Sequence, residues 1–151
     1  MDRESITQIT SENLKLIRTE NDYTQDKMAE ILGISKKTLV QIEKGRILAN
    51  WTTTIAICAL FHNSPTLQNQ IGGDPMEVIE LTVHDVIITP KEKTMGGYIW
   101  WKNIEEHKKF RLQQNLLSKH YRILDDENYR LFSMLDEKVA LEKWQEIKVV
   151  L

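Results

Sequence analysis

The chain has 151 residues, 41% hydrophobic and 28% charged, with a net charge of −2 and one cysteine. Those proportions are ordinary for a globular protein, and the length allows one domain or two small ones. No apolar run of about 18 residues is present, so a membrane span is not expected, and one cysteine excludes an internal disulfide or a multi-cysteine zinc site.

In chain order, residues 1–8 are polar and read as frayed or loosely helical, and the opening MDRESITQIT lacks the apolar core of a signal peptide. A cytoplasmic location is expected. Ser11-Glu12-Asn13 opens a first helix with Leu14 and Ile17 inward, and Asn21-Asp22 breaks it. From Thr24 to Gly45 the chain reads as two short helices around a tight turn. Thr24 can cap the first, Met28, Ala29, Ile31 and Leu32 give an inward stripe, and Gly33 can take the left-handed terminating conformation. Ser35 caps the second helix, in which Leu39 and Ile42 point inward while Lys36, Lys37 and Gln41 lie on other faces.

Lysine can meet guanine O6 and N7, and glutamine can meet adenine N6 and N7, in a DNA major groove. Such residues also decorate ordinary solvated helix faces, so their types alone leave both readings open. The charge distribution is informative where the net charge is not. Residues 35–46 hold Lys36, Lys37, Lys44 and Arg46 against the single acid Glu43, whereas residues 1–30 are net acidic.

Arg18, Thr24-Gln25, Ala29, Gly33, the run from Ser35 to Ile42 and the ending Ile42-Glu43-Lys44-Gly45 stand in one register. In that register the segment from about Ile9 to Ile71 resembles the Cro/phage-repressor (XRE-like) family of helix-turn-helix proteins. The resemblance implies a lambda-repressor-like domain of five helices that binds double-stranded DNA. It implies base reading by Lys36, Lys37 and Gln41, phosphate contacts near Gln25, Thr38, Lys44 and Arg46, and a structural pair of Arg18 with Glu43. The loop after Gly45 reads RILAN, where relatives often carry more basic or polar residues.

Asn50 or Thr52 starts a fourth helix to about His62, with Cys58 on its apolar face as a buried, inert thiol. Ser64-Pro65 starts a fifth, which ends at Gly72-Gly73. The domain boundary is expected there, dividing 1–73 from 74–151. Beyond it Glu77 to Thr89 reads as a strand, Pro90 to Thr94 as a charged loop, and Tyr98 to Ile104 as a second strand after Met95-Gly96-Gly97. Glu105 to Lys109 reads as a charged turn and Phe110 to Leu124 as strand material. Asp125 to Asn128 reads as a hairpin connector, Tyr129 to Met134 as a strand, and Glu137 to Val150 as a helix. Its inner stripe is expected to be Val139, Ala140, the stem of Lys143, Trp144 and Ile147. The fold class is α+β, helices first and then a small antiparallel sheet covered by a C-terminal helix.

His62, His84, His107 and His120 have no paired metal spacing, and no phosphate-cradling or nucleophile motif appears. No enzyme activity, metal or cofactor is expected. The leading expectation is a transcriptional regulator, a repressor, acting as a homodimer. The alternative is an antitoxin-like or adaptor protein whose C-terminal domain binds a partner. The sheet domain is read as dimerising or signal-sensing, through a small-molecule effector or a protein. Its dimer contact is expected on an apolar sheet face left open by the single helix, with Trp100 or Trp101 on it.

Overall fold

The structure is a computed structural model and describes residues 1–84 and 100–150. It divides into two compact units, Met1–Ile88 and Thr89–Leu151.

The first unit is helical: α1 (Arg3–Glu12), α2 (Leu14–Glu20), α3 (Gln25–Leu32), α4 (Lys36–Glu43), α5 (Trp51–Leu60), α6 (Pro65–Ile71) and α7 (Pro75–Val83). Side-chain caps start most of them, by Asp2, Thr24, Ser35, Asn50, Ser64 and Asp74, each oxygen taking up an otherwise orphaned amide of the first turn. Ile6, Leu14, Ile17, Met28, Leu39, Ile57 and Leu67 are wholly buried in one core. The N-terminal residues are therefore not frayed. Ile6 makes α1 a structural helix packed on α5, and residues 1–73 hold six helices where five are expected.

The larger correction is α7. Glu77 to Thr89 was expected as a strand, but its described part, to His84, is helical to Val83. Asp74 accepts from the Met76 amide at 3.0 Å and Pro75 occupies the first turn, an arrangement that favours a helix start. Ile79 is buried in the same core as Ile57 and Leu67. The expected boundary after Gly73 thus falls inside the first compact unit. The expectations for 85–99, including the loop, the glycine turn and Tyr98, lie outside the described residues.

In the second unit, β1 (Trp101–His107), β2 (Phe110–Asn115), β3 (Tyr121–Leu124) and β4 (Arg130–Met134) form an antiparallel sheet in sequential order, followed by α8 (Glu137–Val150). Glu105 to His107 are strand residues, not turn, and only Lys108-Lys109 connect the paired His107 and Phe110. Asp125 to Asn128 does connect β3 to β4, with the Asp125 amide donating to Tyr129 O at 3.0 Å. Ala140, Trp144 and Ile147 of α8 pack with Phe110, Leu112, Tyr121 and Ile123. Val139 lies off that stripe, 42% exposed.

The opposite sheet face is not the apolar surface expected. Pairing of Asn103 with Gln113 and of Gln113 with Arg122 places a polar row there, since side chains alternate along each strand. Trp101 lies on the Arg122 guanidinium, 3.7 Å from ring centroid to Cζ. Trp100 precedes the strand and is 55% exposed.

Candidate nucleic-acid interface

The geometry of α3 and α4 is built locally. Thr24 Oγ1 accepts from the Lys27 amide at 3.1 Å. At the far end Gly33 sits at φ 68°, ψ 30°, where a side chain would be strained. The amides of Gly33 and Ile34 fold back onto the carbonyls of Glu30 and Ala29. Ser35 Oγ then accepts from the Thr38 amide at 3.0 Å and donates to Thr38 Oγ1 at 2.9 Å. Leu39 and Ile42 turn into the core, which presents the remaining faces of α4 outward.

Three elements are tied at one carboxylate. Arg18 Nε of α2 donates to Glu43 Oε1 of α4 at 2.8 Å, and Gln25 Nε2 of α3 donates to Glu43 Oε2 at 3.0 Å. Arg18 Nη1 also donates to Tyr23 O at 2.9 Å, in the α2–α3 connection. The Glu43 side chain is 4% exposed and that of Arg18 is 13% exposed, so the pair is shielded from solvent and both carboxylate oxygens are used. This network sets α4 against α2 and α3. It also draws the amide of Gln25, a residue nominated for phosphate contact, toward Glu43.

The outward residues differ among themselves. Lys36 Nζ pairs with Asp26 Oδ2 at 3.1 Å, but their side chains are 54% and 73% exposed, so water competes and the pair is weak. Lys37, Lys44 and Arg46 are exposed, and none of their charged groups has a protein partner among the described residues. Gln41 is half-buried one turn beyond Lys37, on the neighbouring position of the same helix face. Thr38 is half-buried and engaged with Ser35. Because Arg18 neutralises Glu43, the charge left open on α4 and its following loop is positive.

That loop is anchored from behind. Gly45 has φ 71°, the Arg46 amide donates to Gln41 O at 3.0 Å, and the Ala49 amide donates to Ser11 Oγ at 2.9 Å. Arg46 therefore projects between two fixed points, while Ile47 and Leu48 are 45% and 51% exposed beside it. Trp51 sits at the start of α5 under Arg3, whose Cζ is 4.8 Å from the ring centroid. The sequence does not reveal the part played by Asp26, and Ser11, expected to open a helix, lies near the end of α1 and instead holds the Ala49 amide. Neither role carries a local signal, since each matters only through the element docked against it.

Residues 11–67 match the family model of a helix-turn-helix domain. Ser11 to Leu67 is thus similar to a helix-turn-helix domain. The finding agrees with the resemblance to the Cro/phage-repressor family carried by this part of the chain. The matched residues take in α2 to α5, with α3 and α4 as the two-helix unit. Most of α1, all of α7 and the whole sheet unit lie outside the match. No curated protein and no solved structure matches the chain.

Proposed function

We propose that the protein is a sequence-specific DNA-binding transcriptional regulator that inserts α4 into the major groove. The observation that carries this reading is the two-sidedness of α4. Its inner face is fixed by Leu39, Ile42 and the Glu43 network, while Lys37 and Gln41 share an outer face a turn apart. Lys36 joins them once its exposed pairing with Asp26 opens. These three residues read bases, and Thr38, Lys44 and Arg46 contact phosphate and fix orientation. Gln25 contributes to the phosphate grip from the first turn of α3 while remaining tied to Glu43.

One recognition helix reads only a few base pairs, so useful specificity requires a second copy on a half-site about one DNA turn, roughly 34–36 Å, away. The regulator accordingly acts as a homodimer. Occupying a promoter in this way obstructs transcription, which makes repression the direct consequence. Selection of bound duplexes from a random pool tests the reading. A palindromic motif with half-sites about one turn apart is expected, whereas recovery of no motif would overturn it.

A further inference from the structure

The sheet unit carries an arginine cluster that the DNA-binding reading does not use. Strand pairing sets Glu106, Arg111, Leu124 and Arg130 in one cross-strand row, and Asn103, Gln113, Arg122 and Ser133 in the next. Arg111, Arg122 and Arg130 therefore share the face turned away from α8. Arg122 is central on that face and only 5% exposed. Its Nε donates to Gln113 Oε1 at 2.8 Å, and Gln113 Nε2 donates to Asn103 Oδ1 at 2.7 Å. The Trp101 indole lies over the guanidinium at 3.7 Å and meets His120 edge-on at 4.8 Å. Arg122 Nη2 is buried and has no hydrogen-bond partner among the described residues.

Among the described residues none of the three arginines forms an ion pair. Arg111 Nη2 donates to the neutral Asn128 Oδ1, and Glu106, the acid in the row, accepts from Asn103 Nδ2 at 3.1 Å. Burial, with Arg130 and Arg111 adding repulsion, pulls the Arg122 pKa down to about 10, which still leaves it charged at neutral pH. A buried guanidinium with an unused donor is costly unless an anion meets it. Three positive charges suit a dianion better than a single carboxylate, and the planar guanidinium fork matches phosphate oxygens.

We propose that this face binds a phosphate group, received by Arg122 Nη2 and flanked by Arg111 and Arg130. Trp101 opens the first residue of an edge strand and is partly exposed. Its ring swings aside to admit the ligand, so its emission reports occupancy. The phosphate belongs to a small phosphorylated molecule or to a nucleic-acid backbone, and the same experiment separates the two.

The full chain is titrated with inorganic phosphate against sodium chloride at matched ionic strength, following tryptophan emission and thermal unfolding. Wild type should show a saturable emission change and a rise in melting temperature with phosphate alone. Arg122→Gln should abolish both. Arg130→Ala, at an exposed position that leaves the fold undisturbed, should weaken the phosphate midpoint about tenfold. Equal responses to phosphate and chloride, or a wild-type midpoint in Arg130→Ala, would overturn the proposal. Duplex binding is then measured with and without saturating phosphate. Unchanged duplex affinity in wild type and Arg130→Ala assigns the site to a small phosphorylated molecule. Competition by phosphate together with weaker duplex binding by Arg130→Ala assigns it to backbone phosphate.

Discussion

Arg18 and Glu43 meet at 2.8 Å across the α2–α4 contact, and Gln25 takes the second oxygen of the same carboxylate. Removing Glu43 would strand a largely buried guanidinium and free the Gln25 amide at once. Glu43→Ala should cost about 3–5 kcal/mol, the range for breaking a buried pair by deleting one partner. Its melting temperature should fall further than that of Lys36→Ala or Lys37→Ala, whose charges are exposed. An equal fall in calorimetry would show that the network does not hold the helices together.

Base reading and backbone grip predict different kinds of loss. Lys37→Ala or Gln41→Ala should weaken the preferred duplex by about 1–3 kcal/mol and relax selectivity at one position. Arg46→Ala should weaken all duplexes alike and make the slope of log K against log salt shallower by about one. Competition binding with a panel of point-mutated sites separates the two classes.

Ending the chain at Gly73 should be more damaging than ending it at His84. The shorter chain loses Ile79, buried against the α5 and α6 residues of the core. Deleting such a side chain alone typically costs about 2–5 kcal/mol, and here the rest of α7 goes with it. Urea unfolding of both chains checks this, and equal midpoints would return the boundary to Gly73.

Acid should loosen the joint between α2 and α6. Glu20 accepts from Ser64 Oγ at 2.6 Å and from the Thr66 amide at 3.0 Å, with the Thr66 hydroxyl also donating to it. Burial pushes its pKa up, but the hydrogen bonds from Ser64 and Thr66 outweigh that and leave it below the ordinary glutamate value. A depressed carboxyl contributes stability that is complete above its unfolded pKa and is lost as pH falls through the folded one. Glu20→Gln should therefore melt lower than wild type at pH 7, and the difference should shrink as pH falls below 4.5. A constant difference across the acid range would place the acid sensitivity elsewhere.

The single thiol should be inert in the folded state. Cys58 is wholly buried, its thiol meets Thr10 Oγ1 at 3.8 Å, and burial raises its pKa. Since the thiolate is the reactive form, labelling by a thiol reagent at pH 7 should follow the rate of opening and accelerate in urea. Immediate labelling without denaturant would contradict the packing of α5 on α1.

Much of the helix-turn-helix unit is legible in the sequence because its signals are local. Thr24, Gly33, Ser35 and Gly45 each act within one turn of the backbone, through a cap or a left-handed residue. The periodic apolar positions then choose which face goes inward. The same holds for α8, where Ala140, Trp144 and Ile147 recur at helical spacing. Tertiary structure decided the rest. The β-branched residues of α7 suit a strand by composition, and burial of Ile79 in the helical core decides for a helix. Lys36 and Gln25 look free in sequence, yet Asp26 and Glu43 meet them only when α3 docks on α4. Alternation along β2 and β3 likewise shows that two faces exist without showing what each meets. It is the pairing of Gln113 with Arg122, under the ring of Trp101, that turns an expected apolar face into a buried cation.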